Sequence, residues 1–439
     1  MSLISAQKSY VKKIFNILLA LMPLSFIAGN LMINYNIILL ILSTITIFHK
    51  QLFKQRIFFF DKIIILFFIF ILIFGPINDI IAFAGDAPPK DFTTTIKSFL
   101  FLKYLFLYFS LRFLVERKKI HLKLFFISCF ICSIFVCFDI FYQFINGKDI
   151  FGYEIVGNGR RLSGPFGDEL IAGGYIQRFS IFSFFIIPLF YNHYSKSLLK
   201  YFLPLIFVIF FTGLILSGNR MPTLLFIFTV FLIFIFQKQV RKYLLYFVII
   251  FSITFSSFYH LNSKVKRSSD NFYNQVSKIV TIVINKDFNN ENSPQYLKEF
   301  SSFYETWLLN KYTGGGIKGF RYHCHLRKNI KENSSFICNM HPHNYYLEIL
   351  TELGLFGSII VLILFYNVLY LSFFKKYFLQ STLKHNNIIV PFIFLFFVEI
   401  FPLKSTGSFF TTGNTTYLFL IISILIGLIR EHNSIENKH

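Results

Sequence analysis

Apolar runs of membrane-crossing length recur along the chain, separated mostly by short polar connections. They fall near 14–33, 35–49, 62–78, 98–115, 122–145, 173–192, 200–217, 221–237, 243–260, 344–373, 387–403 and 414–430. A helix spanning a bilayer needs about 20 mostly apolar residues. The pattern therefore predicts an all-α polytopic membrane protein with about twelve transmembrane helices. The first run follows Lys8, Lys12 and Lys13 and leads straight into the second, which reads as an uncleaved signal anchor. One long polar segment, 261–343, divides the chain into 1–260, 261–343 and 344–439. Inside it, Ser293 and Pro294 suit an N-cap and first turn. Tyr296, Leu297, Phe300, Phe303, Tyr304, Trp307 and Leu308 then recur at helical spacing. This predicts a helix that packs on a small core of the loop or lies on the membrane surface.

Lysine and arginine alternate between connections. Basic clusters at Lys50, Lys54 and Arg56, at Arg112, Arg117, Lys118 and Lys119, at Lys196 and Lys200, at Lys238, Arg241 and Lys242, and at Lys375, Lys376 and Lys384 mark the cytoplasmic side. Both termini are then cytoplasmic and 261–343 is external. The 439 residues carry a formal charge of +22, yet only 15% are charged. Soluble domains carry about 25%, so a soluble enzyme is excluded. The basic excess is mostly an orientation signal, and no nucleic acid is needed to explain it. Phe supplies 64 residues, an abundance that partly reflects an AT-rich genome and carries little functional information.

The stretch from His341 to Gly357 reads HPHNYYLEILTELGLFG. It places His343 and Asn344 where the external segment enters the tenth span, with Gly354 and Gly357 two to three turns deeper. A histidine at that junction suits taking a proton from a hydroxyl at neutral pH. Arg178 falls inside the sixth span, where a charge needs a polar cavity or a carboxylate. Asp139, Glu348, Glu352 and Glu399 are candidate partners. Glu348 and Glu352 share one helix face, which fits either structural pairing or a catalytic role.

His343, Asn344, nine residues and then Gly354 resemble the signature of the O-antigen ligase family, which includes related O-antigen polymerases. RRLSGPFGDELIAGGYIQR at 160–178, SGNRMP at 217–222 and GGGIKGFRYHC at 314–324 are similar to further family segments. The resemblance implies a bacterial inner-membrane glycosyltransferase with a large periplasmic loop between helices nine and ten. It would move a glycan from undecaprenyl diphosphate to an acceptor hydroxyl, the lipid A core in ligases, without nucleotide or metal and with inversion. It implies His343 as general base and arginines that hold the diphosphate: Arg220 in the short turn, Arg321 in the loop, with Arg161 and Arg160 able to reach the same site. Arg267 and Arg327 are alternatives to Arg321. Asn344, Arg178 and Glu348 would support the site. A polymerase with the same donor is the nearest alternative, and a lipid-linked sugar flippase is an alternative of another class.

Gly314, Gly316 and Gly319 satisfy G-x-G-x-x-G, but no strand precedes them, so a dinucleotide fold does not fit. A turn is expected, whose backbone amides could cradle a phosphate. Cys324 and Cys338 lie among histidines, but their spacing matches no common zinc motif. In an oxidising periplasm a disulfide is the leading reading, with free thiols and zinc as alternatives. Cys129, Cys132 and Cys137 lie in the fifth span and read as packing residues.

Overall fold

A computed structural model describes residues 3–84, 92–155, 161–191, 196–237, 244–285, 295–327, 338, 343–379 and 388–436. Among the described residues, each apolar run holds a helix. The helices are Leu3–Ala28, Asn30–Phe53, Phe59–Ala84, Thr93–Phe101 continuing as Lys103–Glu116, Lys123–Asn146, Ala172–Phe179 continuing to Ser183–Phe190, Lys196–Ser217, Arg220–Phe236, Leu244–Leu261, Tyr345–Leu369, Val390–Glu399 and Thr412–Glu436. Among the described residues nine helices are long and apolar enough to cross a membrane, while Arg220–Phe236, Tyr246–Leu261 and Val390–Glu399 are shorter. The inner faces interlock through aromatic rings, as where Phe126 and Phe182 meet edge-on and Phe182 meets Phe392. The outer faces are apolar too: Ile96, Phe99 and Phe106 are exposed along one stripe, as expected where the surrounding solvent is lipid.

One end of the bundle is tied by a buried carboxylate. Asp61 meets Arg112 at 2.6 Å and Arg430 at 3.0 Å, and the Tyr108 hydroxyl donates to it at 2.6 Å. Three helices are thereby joined where they reach the same side. Arg112 is 1% exposed, so it does not belong with the loop charges among which its sequence neighbours place it. Its helix continues to Glu116, which turns it inward toward Asp61.

At the other end the Asp79 carboxylate accepts from the Thr95 backbone N–H and hydroxyl, both at 2.7 Å, and from the Thr94 hydroxyl. Part of the long segment packs on this end, with Asn310 donating to Asn78 at 3.3 Å and Tyr322 to Thr93 at 3.3 Å. The segment also contains a helix that the sequence pattern did not predict, Ser263–Asn285, a direct continuation of Leu244–Leu261. The expected aromatic helix is Gln295–Leu309; Ser293 and Pro294 lie outside the described residues. Phe303 from this helix stacks on Phe320 at 3.5 Å between ring centres. With Cys324, Cys338 and Leu347 they form a second small core, closed by a Cys324–Cys338 disulfide.

Candidate functional site

The helix Tyr345–Leu369 is two helical pieces. Gly354 breaks it with φ 64° and ψ −166°, a conformation essentially confined to glycine. A break frees backbone groups that the helix would otherwise pair, and in an apolar surround each must find another partner. Residues 311–316 of the loop supply them. Gly315 N–H donates to Thr351 O at 3.0 Å and Gly316 N–H to Glu352 O at 2.8 Å, while Leu355 N–H donates to Lys311 O at 2.8 Å and Phe356 N–H to Tyr312 O at 3.0 Å. Gly354 is therefore not a residue deep in a continuous span. Residues 355–375 are alone long enough, at about 1.5 Å per residue, to cross a hydrocarbon core of about 30 Å. The glycine-rich amides are also not a phosphate cradle. Those of Gly314, Gly315, Gly316 and Gly319 are all engaged with backbone carbonyls.

The piece 345–353 carries the candidate chemistry and is pinned along its length. Its N-cap is Asn344, whose side-chain oxygen accepts from Tyr346 and Leu347 N–H at 3.0 and 3.1 Å. The amide of Asn344 donates to Pro402 O at 2.8 Å, tying the cap to the last connection. Asn344 is thus a structural support. His343, just outside the cap, is held at φ 50°, an uncommon conformation for a residue with a side chain. It is partly buried, and its pKa is lowered first by burial and then by the positive charge of Arg161.

Below it, Tyr345 enters a buried ion cluster. Its hydroxyl donates to Glu399 Oε1 at 2.5 Å. Arg178 forks onto both Glu399 oxygens at 2.7 and 3.2 Å and also reaches Asn414 at 2.7 Å. Lys404 adds a 2.6 Å bond to Glu399 and lies over the Tyr345 ring. Burial pulls the Lys404 pKa down to about 8, against the opposing pull of Glu399. Of the four carboxylates that Arg178 could use, the fold selects Glu399. One turn along, Glu348 pairs with Lys318 at 3.3 Å and accepts from Ser408 and from the Phe409 N–H. Glu352 follows, buried and within electrostatic reach of Lys318 and Arg321. Lys318, Lys404, Ser408 and Asn414 escaped sequence reading; for Lys404 and Ser408 the polar run 404–413 between the last two apolar stretches was the available signal, and Lys318 sits in the glycine-rich segment 314–324.

The other candidates come from three further segments of the chain. Gly173 packs against the turn before Arg220, since a Cβ there would come within 2.6 Å of Asn219 Cβ and 2.7 Å of Ser217 Oγ. The two family-like segments at 160–178 and 217–222 are therefore in contact. Arg220 opens the helix Arg220–Phe236. Arg321 is exposed, whereas Arg327 is buried against Glu305 at 3.1 Å and Cys324 O at 2.8 Å, which fits a structural role. Arg160 and His341 lie outside the described residues. Among the described residues no three His, Cys, Asp or Glu side chains group as metal ligands.

A family model described as O-antigen ligase matches residues 205–362. Residues 205–362 are similar to that family. No curated protein matches the chain. The matched segment contains Arg220, the loop, His343 and the Gly354 break, while Arg178, Glu399 and Lys404 lie beyond its limits. The buried ion cluster beneath His343 is therefore assembled from inside and outside the matched segment.

Proposed function

We propose that the protein is an O-antigen ligase-type glycosyltransferase of the bacterial inner membrane, acting on its periplasmic side. The observation that carries this is the position of His343. It projects from the capped end of a pinned helical piece, beside Arg161, and partial burial favours its neutral imidazole. A neutral imidazole at this mouth can take the proton of an acceptor hydroxyl. The acceptor oxygen then attacks the anomeric carbon, and the bond to the diphosphate breaks with its electron pair leaving on undecaprenyl diphosphate. Attack opposite the leaving group inverts the anomeric centre.

The departing diphosphate gains negative charge, which fixed guanidinium groups stabilise without a proton transfer. Arg220 is the first candidate, with Arg161, Arg160 and Arg321 as the further ones. In this reading the donor is a lipid-linked glycan and the acceptor the lipid A core of lipopolysaccharide. A polymerase would use the same donor and the same base.

Purified protein supplied with undecaprenyl diphosphate-linked glycan and lipid A core tests the reading. Wild type releases undecaprenyl diphosphate and His343→Ala does not; release that survives the substitution removes His343 from the mechanism. Deletion in the native cell separates ligase from polymerase. A ligase leaves finished polymer on its carrier, and a polymerase leaves single repeat units.

A further inference from the structure

Lys103 is a half-buried basic residue in the outer half of the span Thr93–Glu116. It lies eight residues past Thr95, about 12 Å along the helix from the Asp79 tie. Ile96, Phe99 and Phe106 on the same helix are exposed, and the spacing 96, 99, 103, 106 puts Lys103 on their stripe. The neighbouring helix Asn30–Phe53 exposes Leu31, Tyr35 and Ile38 on its own outer face. Asn34 lies on that face, and Lys103 donates to its side-chain oxygen at 2.6 Å. The contact is a polar spot in an apolar wall, at the seam of two helices.

Arg112, Arg430 and Arg178, inside the bundle, each have a carboxylate: Arg112 and Arg430 have Asp61, and Arg178 has Glu399. Among the described residues no carboxylate pairs with Lys103. The charge that acts on it is the like charge of Lys97, six residues nearer the outer surface and exposed. A charge at membrane depth is expensive unless something anionic or polar meets it. An ammonium, a second ammonium within electrostatic reach of it on the same helix and a carboxamide that keeps its NH2 as a donor form a set suited to phosphate oxygens. The outward-facing surface selects a ligand that arrives through the bilayer, with its tails along the exposed stripes.

We propose that Lys103, Asn34 and Lys97 bind the phosphate of an anionic glycerophospholipid from the outer leaflet of the surrounding membrane. The site is separate from His343 and does not rest on the proposed reaction.

The test is native mass spectrometry of purified full-length protein titrated with phosphatidylglycerol, with dioleoylglycerol as the phosphate-free control and undecaprenyl phosphate as a third probe. A basic residue near the surface contributes an amount that corresponds to about fivefold in affinity. Lys103→Met should therefore weaken phosphatidylglycerol retention about fivefold, and Lys97→Gln combined with it about 25-fold. Dioleoylglycerol retention should not change. Equal retention of phosphatidylglycerol by wild type and both variants overturns the site, as does equal binding of the two glycerolipids. Retention of undecaprenyl phosphate alone overturns the glycerophospholipid assignment. Should Lys103→Met fold poorly, Asn34→Leu and Lys97→Gln singly give the same reading.

Discussion

Gly314 and Gly354 lie against each other with no room for a side chain on either. A Cβ on Gly354 would come within 2.4 Å of the Tyr312 carbonyl and 2.5 Å of Gly314 N, and one on Gly314 within 2.4 Å of Gly354 N. Both also have left-handed φ, 71° and 64°. This contact lets the loop enter the helix break and complete its hydrogen bonding. Gly354→Ala should cost about 2–4 kcal/mol through strain and overpacking together. Thermal unfolding in detergent measures it, and a melting curve unchanged from wild type would show that the interlock is absent.

The pH dependence of activity follows from His343. Its lowered pKa keeps the imidazole neutral, and able to accept a proton, to pH values below the usual 6.5. Activity should therefore fall on acidification with a midpoint under 6.5. Removing the charge of Arg161 by Arg161→Gln lifts one of the two lowering effects, so the midpoint should move up toward 6.5. A midpoint that moves down, or stays fixed, contradicts the electrostatic assignment. Because the folded pKa is the lower one, protonation favours the unfolded chain, and the contribution of His343 to stability is lost as pH falls below about 6.5.

Tyr345→Phe separates support from chemistry. It removes one hydroxyl from Glu399 and leaves the salt bridges of Arg178 and Lys404 in place. The stability loss should be about 1 kcal/mol. Turnover should drop while the KM for the donor stays near wild type, because His343 is two residues away. Glu399→Ala should be far worse, about 3–5 kcal/mol, since it strands two buried cations. Equal melting temperatures for the two variants would count against the cluster as drawn.

The disulfide governs the loop's own core. Opening Cys324–Cys338, separated by 14 residues, with Cys338→Ser should cost about 3 kcal/mol of loop stability. Limited proteolysis under oxidising and reducing conditions reads this directly. Cleavage near Phe303 and Phe320 should appear in the variant and in reduced wild type, and equal protection in all samples would refute it.

At the opposite end, Asp61→Asn leaves Arg112 and Arg430 buried without their carboxylate. The expected loss is about 3–5 kcal/mol, seen as reduced membrane yield and a lower melting temperature. Normal yield and melting would mean that Asp61 does not tie these helices.

Sequence periodicity alone determined the helical class and the positions of the apolar runs, because lipid demands a long uninterrupted apolar stretch and a closed backbone. Motif spacing and position at the span entrance singled out His343 and Asn344, and cysteine chemistry the two loop cysteines. Periodicity did not predict the helix Ser263–Asn285, since a polar helix following directly on an apolar one reads as loop. It also misread Gly354. A glycine inside an apolar run is indistinguishable from a packing glycine until the partner backbone, some 40 residues earlier at 311–316, is seen inserting beside it. The choice of Glu399 for Arg178 and of Asp61 for Arg112 belongs to the tertiary structure for the same reason. Ion pairs form between residues more than fifty or two hundred positions apart, and only packing decides which buried charge meets which.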